Sequence, residues 1–395
     1  MQLKTIISIL VFIAYSVPSW SQNQPASDYR IYPYLQNPTQ SAISILWFTE
    51  SAKAGILTYQ KSGSKEITKL ASSFDEIAAL TYSDWEAKQF FKGNPPATPF
   101  RQRVRIEGLE PATVYQYTVI QAGESFSSAF KTAPSGYSPI RVIVYGDDET
   151  EPESTGTNVD WQLPISPSIL QPTRKYLIDQ TQGYKNNLEV IKSRNPDLII
   201  IAGDLVQTGG EQRDWDEFWQ QNNNPTLKLA SAVPIMPTFG NHEYYAGPNV
   251  DRSDQSGSEI GVQKYLNYFE LPANHDPIKE HEERYYSFNY GPATFIMLDV
   301  SNNSPEDSSS DTSFYLNNSL NSFSPGFAPH TRQYQWLEET LKDAQKRSLF
   351  TFIAFHHSPY SSGPHGRPAG NQDGATDKQS GVPVRALTPL FMRYG

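Results

Sequence analysis

The sequence predicts a β-sheet domain followed by an α/β domain. From residue 29 to about residue 134, apolar and polar residues alternate as they do in half-buried strands. After residue 139, short apolar strands alternate with amphipathic helices, which is typical of a largely parallel sheet. A segment rich in Pro, Gly and Ser, residues 133–139, separates the two patterns. We therefore predict domains at residues 22–134 and 135–395.

Composition limits the classes of protein to which the chain can belong. At 395 residues it is long enough for two domains with cores of their own. Its hydrophobic content of 37% and aromatic content of 13% exclude disorder along the whole length. The net charge of −10 argues against a nucleic-acid backbone or an anionic membrane as partner. The absence of cysteine excludes disulfides and thiolate metal sites.

Residues 1–21 have the pattern of a secretory signal peptide. Lys4 supplies a positive charge, residues 5–17 are mostly apolar, and Ser19 and Ser21 place small residues before the cleavage point. The alternative, a membrane anchor, is weaker because the apolar run is shorter than the ~20 residues that a span requires. We predict a secreted or periplasmic mature chain that begins at Gln22 and has no membrane span.

The β domain contains two segments with a family resemblance. Residues 108–115, Gly-Leu-Glu-Pro-Ala-Thr-Val-Tyr, resemble a corner of fibronectin type III-like sandwiches. Residues 33–38, Pro-Tyr-Leu-Gln-Asn-Pro, are similar to the start of the N-terminal domain of purple acid phosphatase-like proteins. Composition alone leaves any β-sandwich open.

In the second domain, polar side chains follow apolar strands directly. We predict strands at residues 142–145, 198–202, 233–239 and 350–355, helices at 182–193, 212–220 and 331–344, two further strands at 285–288 and 294–300, and an insertion at 301–328. Four of these strands end just before Asp147, Asp204, Asn241 and His357. Singly, each has an ordinary explanation as a turn residue or a hydrogen-bonded structural histidine. Together, at one edge of a sheet, they form the mixed oxygen and nitrogen set that divalent ions prefer.

These motifs, in this order, resemble four of the five motifs of the calcineurin-like metallophosphoesterases. They are Gly146-Asp147, Gly203-Asp204, Gly240-Asn-His-Glu243 and His357-Ser-Pro359. The preceding sandwich narrows the resemblance to the purple acid phosphatase-like branch. It implies a four-layer α/β/β/α domain with two metal ions, which hydrolyses phosphate esters through a metal-bound hydroxide.

The resemblance also implies residue roles. Asp147 would ligate the first metal, Asp204 would bridge both, and Asn241 and His357 would ligate the second. His242 would contact the substrate phosphate, and His365 would protonate the leaving oxygen. We expect His356 to point away from the site and to have a structural role.

Three departures from the family pattern qualify these roles. Gln207 replaces the tyrosine ligand of purple members, which favours two divalent ions, with Fe, Zn, Mn and Ca as candidates, over a ferric site. Glu149 occupies a position that is often histidine, where it is either a substitute ligand or a solvated acid. The fifth motif, Gly-His-x-His, is absent, so we expect the reading frame to continue past Gly395 and the 395-residue chain to be a weakly active fragment.

The sequence therefore predicts a secreted metal-dependent phosphoesterase that acts on a small phosphate ester. The alternative is a non-catalytic surface or carbohydrate-binding protein on a degenerate phosphoesterase scaffold. The four intact ligand positions favour the enzyme, whereas the missing motif favours the alternative. The sequence does not indicate the substrate, the preference for monoester or diester, or the oligomeric state.

Overall fold

The computed structural model describes residues 27–150, 157–161, 174–247, 255–301, 324–366 and 380–394. The predicted signal segment and most of the predicted insertion at 301–328 lie outside these residues. No helix in the described part of the chain has both the length and the apolar character needed to cross a membrane.

The N-terminal domain consists of two four-stranded antiparallel sheets that face each other, which confirms the predicted β domain. One sheet has the strand order β1-β2-β6-β5 and the other β4-β3-β7-β8. The strands are β1 (Tyr29–Gln36), β2 (Ile43–Thr49), β3 (Ile56–Lys61), β4 (Thr68–Ala71), β5 (Ser73–Glu76), β6 (Phe100–Ile106), β7 (Val114–Gln121) and β8 (Glu124–Lys131).

Both sheets contribute alternate residues to one core, as the alternation in the sequence requires. Ile45 and Trp47 from β2 pack in the same cluster as Tyr117 and Val119 from β7, and all four are buried. At the corner before β7, the Tyr115 hydroxyl accepts a hydrogen bond of 3.0 Å from the backbone N–H of Glu110.

A helix that the sequence analysis did not predict, α1 (Asp84–Phe91), lies between β5 and β6. Its N-terminus is a capping box: the Ser83 hydroxyl accepts from the Glu86 N–H and the Glu86 carboxylate accepts from the Ser83 N–H. The other carboxylate oxygen of Glu86 accepts from the backbone N–H of Arg213 at 3.0 Å. The helix cap therefore also links the two domains.

The second domain alternates strands and helices, as predicted. Its elements are β9 (Val142–Tyr145), β10 (Thr157–Trp161), β11 (Arg174–Ile178), α2 (Gln180–Ser193), β12 (Leu198–Ile201), α3 (Gln212–Asn222), α4 (Leu229–Ala232), β13 (Ile235–Pro237), α5 (Gln255–Tyr268), β14 (Tyr286–Tyr290), β15 (Ala293–Met297), α6 (Arg332–Arg347), β16 (Phe350–Ala354) and α7 (Thr388–Tyr394). The polar stretch after Asp147, in which no strand was predicted, contains the antiparallel strand pair β10–β11.

Two separate sheets carry the polar strand ends. Strands β9, β12 and β13 form a parallel sheet, with β12 in the centre. Strand β16 pairs in parallel with β15 in a second sheet, which also contains the antiparallel β14. The predicted candidate residues therefore come from two sheets rather than from one edge.

The two domains share a hydrophobic core. Tyr34 and Phe48 of the N-terminal domain belong to the same buried cluster as Trp219 and Tyr268 of the second domain. The rings of Tyr34 and Trp219 lie 4.1 Å apart between centroids, and the Tyr34 hydroxyl donates to the Tyr268 carbonyl at 2.5 Å. The N-terminal domain therefore packs against α3 and α5 of the second domain.

An apolar cavity of about 510 Å³ lies between the parallel sheet and the second sheet. Its lining includes Val144 of β9 and Phe352 of β16, which are 59% and 52% exposed. Among the described residues, β9 and β16 are edge strands of their sheets.

Candidate metal centre

Three loops at the carboxyl end of the parallel sheet position Asp147, Asp204 and Asn241. The strands before them run in register, with Ile199 of β12 opposite Ile143 of β9 and Ile235 of β13. Because parallel strands end at the same edge, the residues that follow them are brought together. The structure therefore places these three predicted residues in neighbouring loops.

The backbone conformation of the loops explains how they approach one another at the site. Asp147 and Asp204 both adopt left-handed conformations with φ of 53°. Asp204 leaves no room for a side chain at Gly240, where an added Cβ would lie 2.0 Å from Asp204 Oδ1 and 2.4 Å from its backbone nitrogen. A glycine at 240 thus allows the two loops to approach closely.

Asp204 is the buried centre of the site, with 4% of its surface exposed. Its Oδ1 accepts a hydrogen bond of 3.0 Å from the backbone N–H of His242, and its Oδ2 lies 3.0 Å from His356 Nε2. Burial opposes ionisation of Asp204, but His356 and His242 more than offset burial and hold its pKa well below its usual range. Asp204 is therefore a carboxylate that requires positive charge beside it.

Glu243 holds the loops around Asp204. Its buried carboxylate accepts backbone N–H groups from Asp204 at 3.0 Å, Leu205 at 2.7 Å and Gly240 at 2.6 Å. Burial, together with the charge of Asp204, raises the pKa of Glu243 to about 7. The sequence analysis placed Glu243 in a motif without a role. Its complete burial within a polar motif was not visible from the sequence.

His356 faces the site, so the expectation that it points away is wrong. Its Nδ1 lies 3.0 Å from the Ala202 carbonyl, and its Nε2 lies 3.1 Å from Asn241 Oδ1 as well as 3.0 Å from Asp204 Oδ2. Burial by itself lowers the pKa of His356, but the Asp204 carboxylate raises it to about 10. An imidazole whose Nδ1 donates to a carbonyl presents Nε2 to a metal ion.

His357 lies beside His356 with its ring turned by 86° and the ring centroids 5.0 Å apart. It is 7% exposed, and its Nδ1 has no hydrogen-bond partner among the described residues. Burial, with the charge of His356, lowers the pKa of His357 to about 3. Its role as a metal ligand stays a prediction.

Two groups of candidate ligands share Asp204. Asp147, Asp204 and His356 form one group, and Glu149, Asp204 and His242 form the other; within each group the ligand atoms lie within 4.8 Å of one another. Burial and the charge of Asp204 raise the pKa of Glu149 to about 7. The two groups, with one carboxylate in common, can hold two neighbouring cations.

The two predicted substrate-facing histidines differ in their surroundings. His242 is buried, with its Nδ1 2.7 Å from the Gln207 carbonyl and its Nε2 3.9 Å from Asp204 Oδ2. His365 is exposed, in the short 3-10 helix Pro364–Gly366, and its charge contributes to the lowered pKa of His357. His242 therefore belongs to the ligand group of Glu149 and Asp204, whereas His365 is close enough to His357 to affect its pKa.

Two known sequence families match the chain. The calcineurin-like phosphoesterase pattern matches residues 177–379, and the pattern of the purple acid phosphatase N-terminal domain matches residues 29–133.

Similar proteins include two from Arabidopsis thaliana. Purple acid phosphatase 21 is 26% identical over 66% of this chain and 44% of its own length. Probable purple acid phosphatase 20 is 24% identical over 86% of this chain and 60% of its own length. The chain therefore spans about half the length of these curated relatives.

The fold is similar to that of purple acid phosphatase PPD1 from yellow lupin (Lupinus luteus) seeds. The TM-score is 0.58 at 20% identity, over 92% of this chain and 56% of the lupin chain. A structure of PhoD has a TM-score of 0.56 at 14% identity, over 94% of this chain and 70% of that chain. At these identities the likeness shows the fold, an N-terminal sheet domain followed by a metallophosphoesterase α/β domain.

Proposed function

The chain belongs to the calcineurin-like phosphoesterase family, and from this we propose that it hydrolyses phosphate esters with the help of two divalent metal ions. The observation that carries the proposal is that two groups of candidate ligands share Asp204. A shared carboxylate offsets the repulsion between two neighbouring cations. When bound, the ions would polarise the phosphate and lower the pKa of a water molecule.

We assign the ligands from the contacts around Asp204. Asp147, Asp204 and Asn241 remain proposed ligands. The imidazole position goes to His356, because its Nε2 lies close to oxygens of both Asp204 and Asn241. Carboxylate and amide oxygens with one imidazole suit Fe, Zn or Mn. Ca prefers oxygen ligands alone, so we expect it to bind more weakly than the other three ions.

The chain's own residues then orient the reaction and move its protons. Glu243 fixes the loops that present Asp204 and Gly240, through its three backbone hydrogen bonds. Glu149 and Asp204 of the second group would hold the other ion, and we assign His242, the third member of that group, to a phosphate beside that ion. We assign the proton for the leaving oxygen to His365. The oxygen of water bonds to phosphorus, and the bond from phosphorus to the ester oxygen breaks. That ester oxygen takes the proton from His365, and the proton that water loses restores it.

A second candidate function is a non-catalytic protein on the same scaffold. One observation favours it: the chain is 26% identical, over 67% of its length, to the Arabidopsis thaliana protein named "Probable inactive purple acid phosphatase 27". Such a protein would keep the metal centre or the fold without turnover.

The test combines metal analysis with hydrolysis. The purified chain is loaded with Fe, Zn, Mn or Ca, its metal content is measured by elemental analysis, and release of p-nitrophenol from mono- and bis(p-nitrophenyl) phosphate is followed. We expect two bound ions and turnover, both lost in Asp204→Asn. The matched control is Asp343→Asn, an exposed carboxylate on α6 that should change neither. Metal binding without turnover of either ester would support the non-catalytic candidate instead.

A further inference from the structure

A cavity of about 590 Å³ opens beside the candidate metal centre, between the loop after β9 and helix α2. Asp147 and Glu149 line it and also belong to the two candidate ligand groups. A group attached to a phosphate at the centre can therefore extend into this cavity.

The lining of the cavity contains acidic side chains and no basic ones. Three consecutive carboxylates, Asp147, Asp148 and Glu149, line it, and no Lys, Arg or His is among the described residues that do so. Such a lining favours a cationic occupant and disfavours an anionic one.

Asp148 supplies a separate indication of a missing partner. It is 9% exposed, and neither of its carboxylate oxygens accepts a hydrogen bond in the described part of the chain. Tyr184 interacts electrostatically with Asp148, but its hydroxyl is outside hydrogen-bond geometry with both carboxyl oxygens and donates to Asn222 Oδ1 at 3.3 Å. A buried carboxyl group without a hydrogen-bond partner is costly, and a cation in the cavity would complete its surroundings.

The rest of the lining is aromatic and apolar. The hydroxyls of Tyr145 and Tyr184 lie 3.4 Å apart, and both residues line the cavity together with Ile143 and Ile191. Aromatic faces attract alkylammonium ions through the ring quadrupole, and aliphatic groups pack against their methyl groups. Simple metal cations and hydrophilic sugars use neither feature.

We propose that this cavity binds the leaving group of the substrate and selects phosphate esters of alkylammonium alcohols. The proposal rests on the proposed hydrolysis of phosphate esters at the neighbouring centre. Hydrolysis of such an ester gives inorganic phosphate and an amino alcohol, with the ester oxygen taking up one proton.

The test compares two esters of the same shape. Choline phosphate and 3,3-dimethylbutyl phosphate differ only in that a quaternary nitrogen replaces a quaternary carbon. We expect kcat/KM to be about tenfold or more higher for choline phosphate, as a cation–π contact and nearby carboxylates contribute on this scale. Equal values for the two esters, with p-nitrophenyl phosphate still hydrolysed, would overturn the inference and leave the proposed function standing.

Adding a positive charge to the lining of the cavity gives a second test, which does not depend on turnover. Asn187 on α2 is exposed and lines the cavity, whereas the adjacent exposed Asn186 does not. Asn187→Lys should weaken choline binding to the metal-free protein, measured by calorimetry, by about tenfold, and Asn186→Lys should leave it unchanged. If the wild type does not bind choline, or both variants weaken it equally, the inference fails, even if no ester is hydrolysed.

Discussion

Asp204 Oδ2 and His356 Nε2 lie 3.0 Å apart, and the same nitrogen lies 3.1 Å from Asn241 Oδ1. In the metal-free protein a proton on Nε2 stabilises these two oxygens, since the Asp204 charge raises the pKa of His356 to about 10. A divalent ion can replace that proton, because it supplies positive charge to the same three atoms.

This relationship predicts different effects for the paired histidines. His356→Ala should remove one of the two ions and lower metal affinity by about tenfold or more, because a ligand is lost. His357→Ala should cost mainly stability, about 1–3 kcal/mol, because a buried side chain is removed. Elemental analysis and chemical denaturation separate the two. Loss of metal from the His357 variant alone would return the ligand role to His357.

The paired histidines also show where sequence reasoning stops. Asp147, Asp204 and Asn241 could be placed because each follows an apolar strand of one parallel sheet, and strand ends share an edge. The sequence analysis chose His357 over His356, but side chains at the end of a strand alternate between faces, and a shift of one residue reverses such an assignment. The β10–β11 pair was missed because each strand has only five residues, too few for a period to stand out in a long polar stretch.

Gly240 gives a prediction about the loops themselves. In Gly240→Ala the new Cβ would lie 2.0 Å from Asp204 Oδ1, so the carboxylate must move. We expect metal affinity to fall and unfolding free energy to drop by about 1–3 kcal/mol. Gly183→Ala is the control for the added methyl group: the Cβ meets nothing within 4 Å on α2, and it should raise stability by about 0.5–1 kcal/mol. Unchanged metal affinity in Gly240→Ala would mean that the loops separate without displacing Asp204.

His365 is predicted to act on the leaving group only. His365→Ala should retain both metal ions and slow turnover by about 100- to 10,000-fold, as the loss of a general acid does. The effect should be largest for alkyl phosphates and small for p-nitrophenyl phosphate, because nitrophenolate leaves without a proton. Measurement of kcat across leaving groups of graded pKa checks this. The same slowing for every leaving group would remove His365 from the role.

Export of the chain stays a prediction that processing can test. Lys4, the apolar run at residues 5–17 and the small residues Ser19 and Ser21 predict cleavage before Gln22. Mass spectrometry of the protein recovered from periplasm or medium should show Gln22 as the first residue. An intact Met1 on that material would contradict the prediction.

Lys264 at the domain interface predicts a dependence of stability on pH. It is 2% exposed, and its ammonium donates to the Ala79 carbonyl at 2.9 Å and to Gln212 Oε1 at 3.1 Å. Burial lowers its pKa to about 8, below its ordinary value of 10.5. Between these two values the unfolded chain binds more protons than the folded chain, so the Lys264 contribution to stability increases as pH rises from about 8 to about 10.5.

Lys264→Met should remove this rise, because methionine fills similar space and does not titrate. Chemical denaturation at several pH values, taken as the difference between wild type and variant, isolates the Lys264 contribution from other titrating groups. The wild type should gain up to about 3 kcal/mol relative to the variant across the window, since one pKa unit corresponds to about 1.4 kcal/mol. A difference that stays constant with pH would show that Lys264 has its ordinary pKa in the folded protein, and that its ammonium is solvated rather than enclosed between the domains.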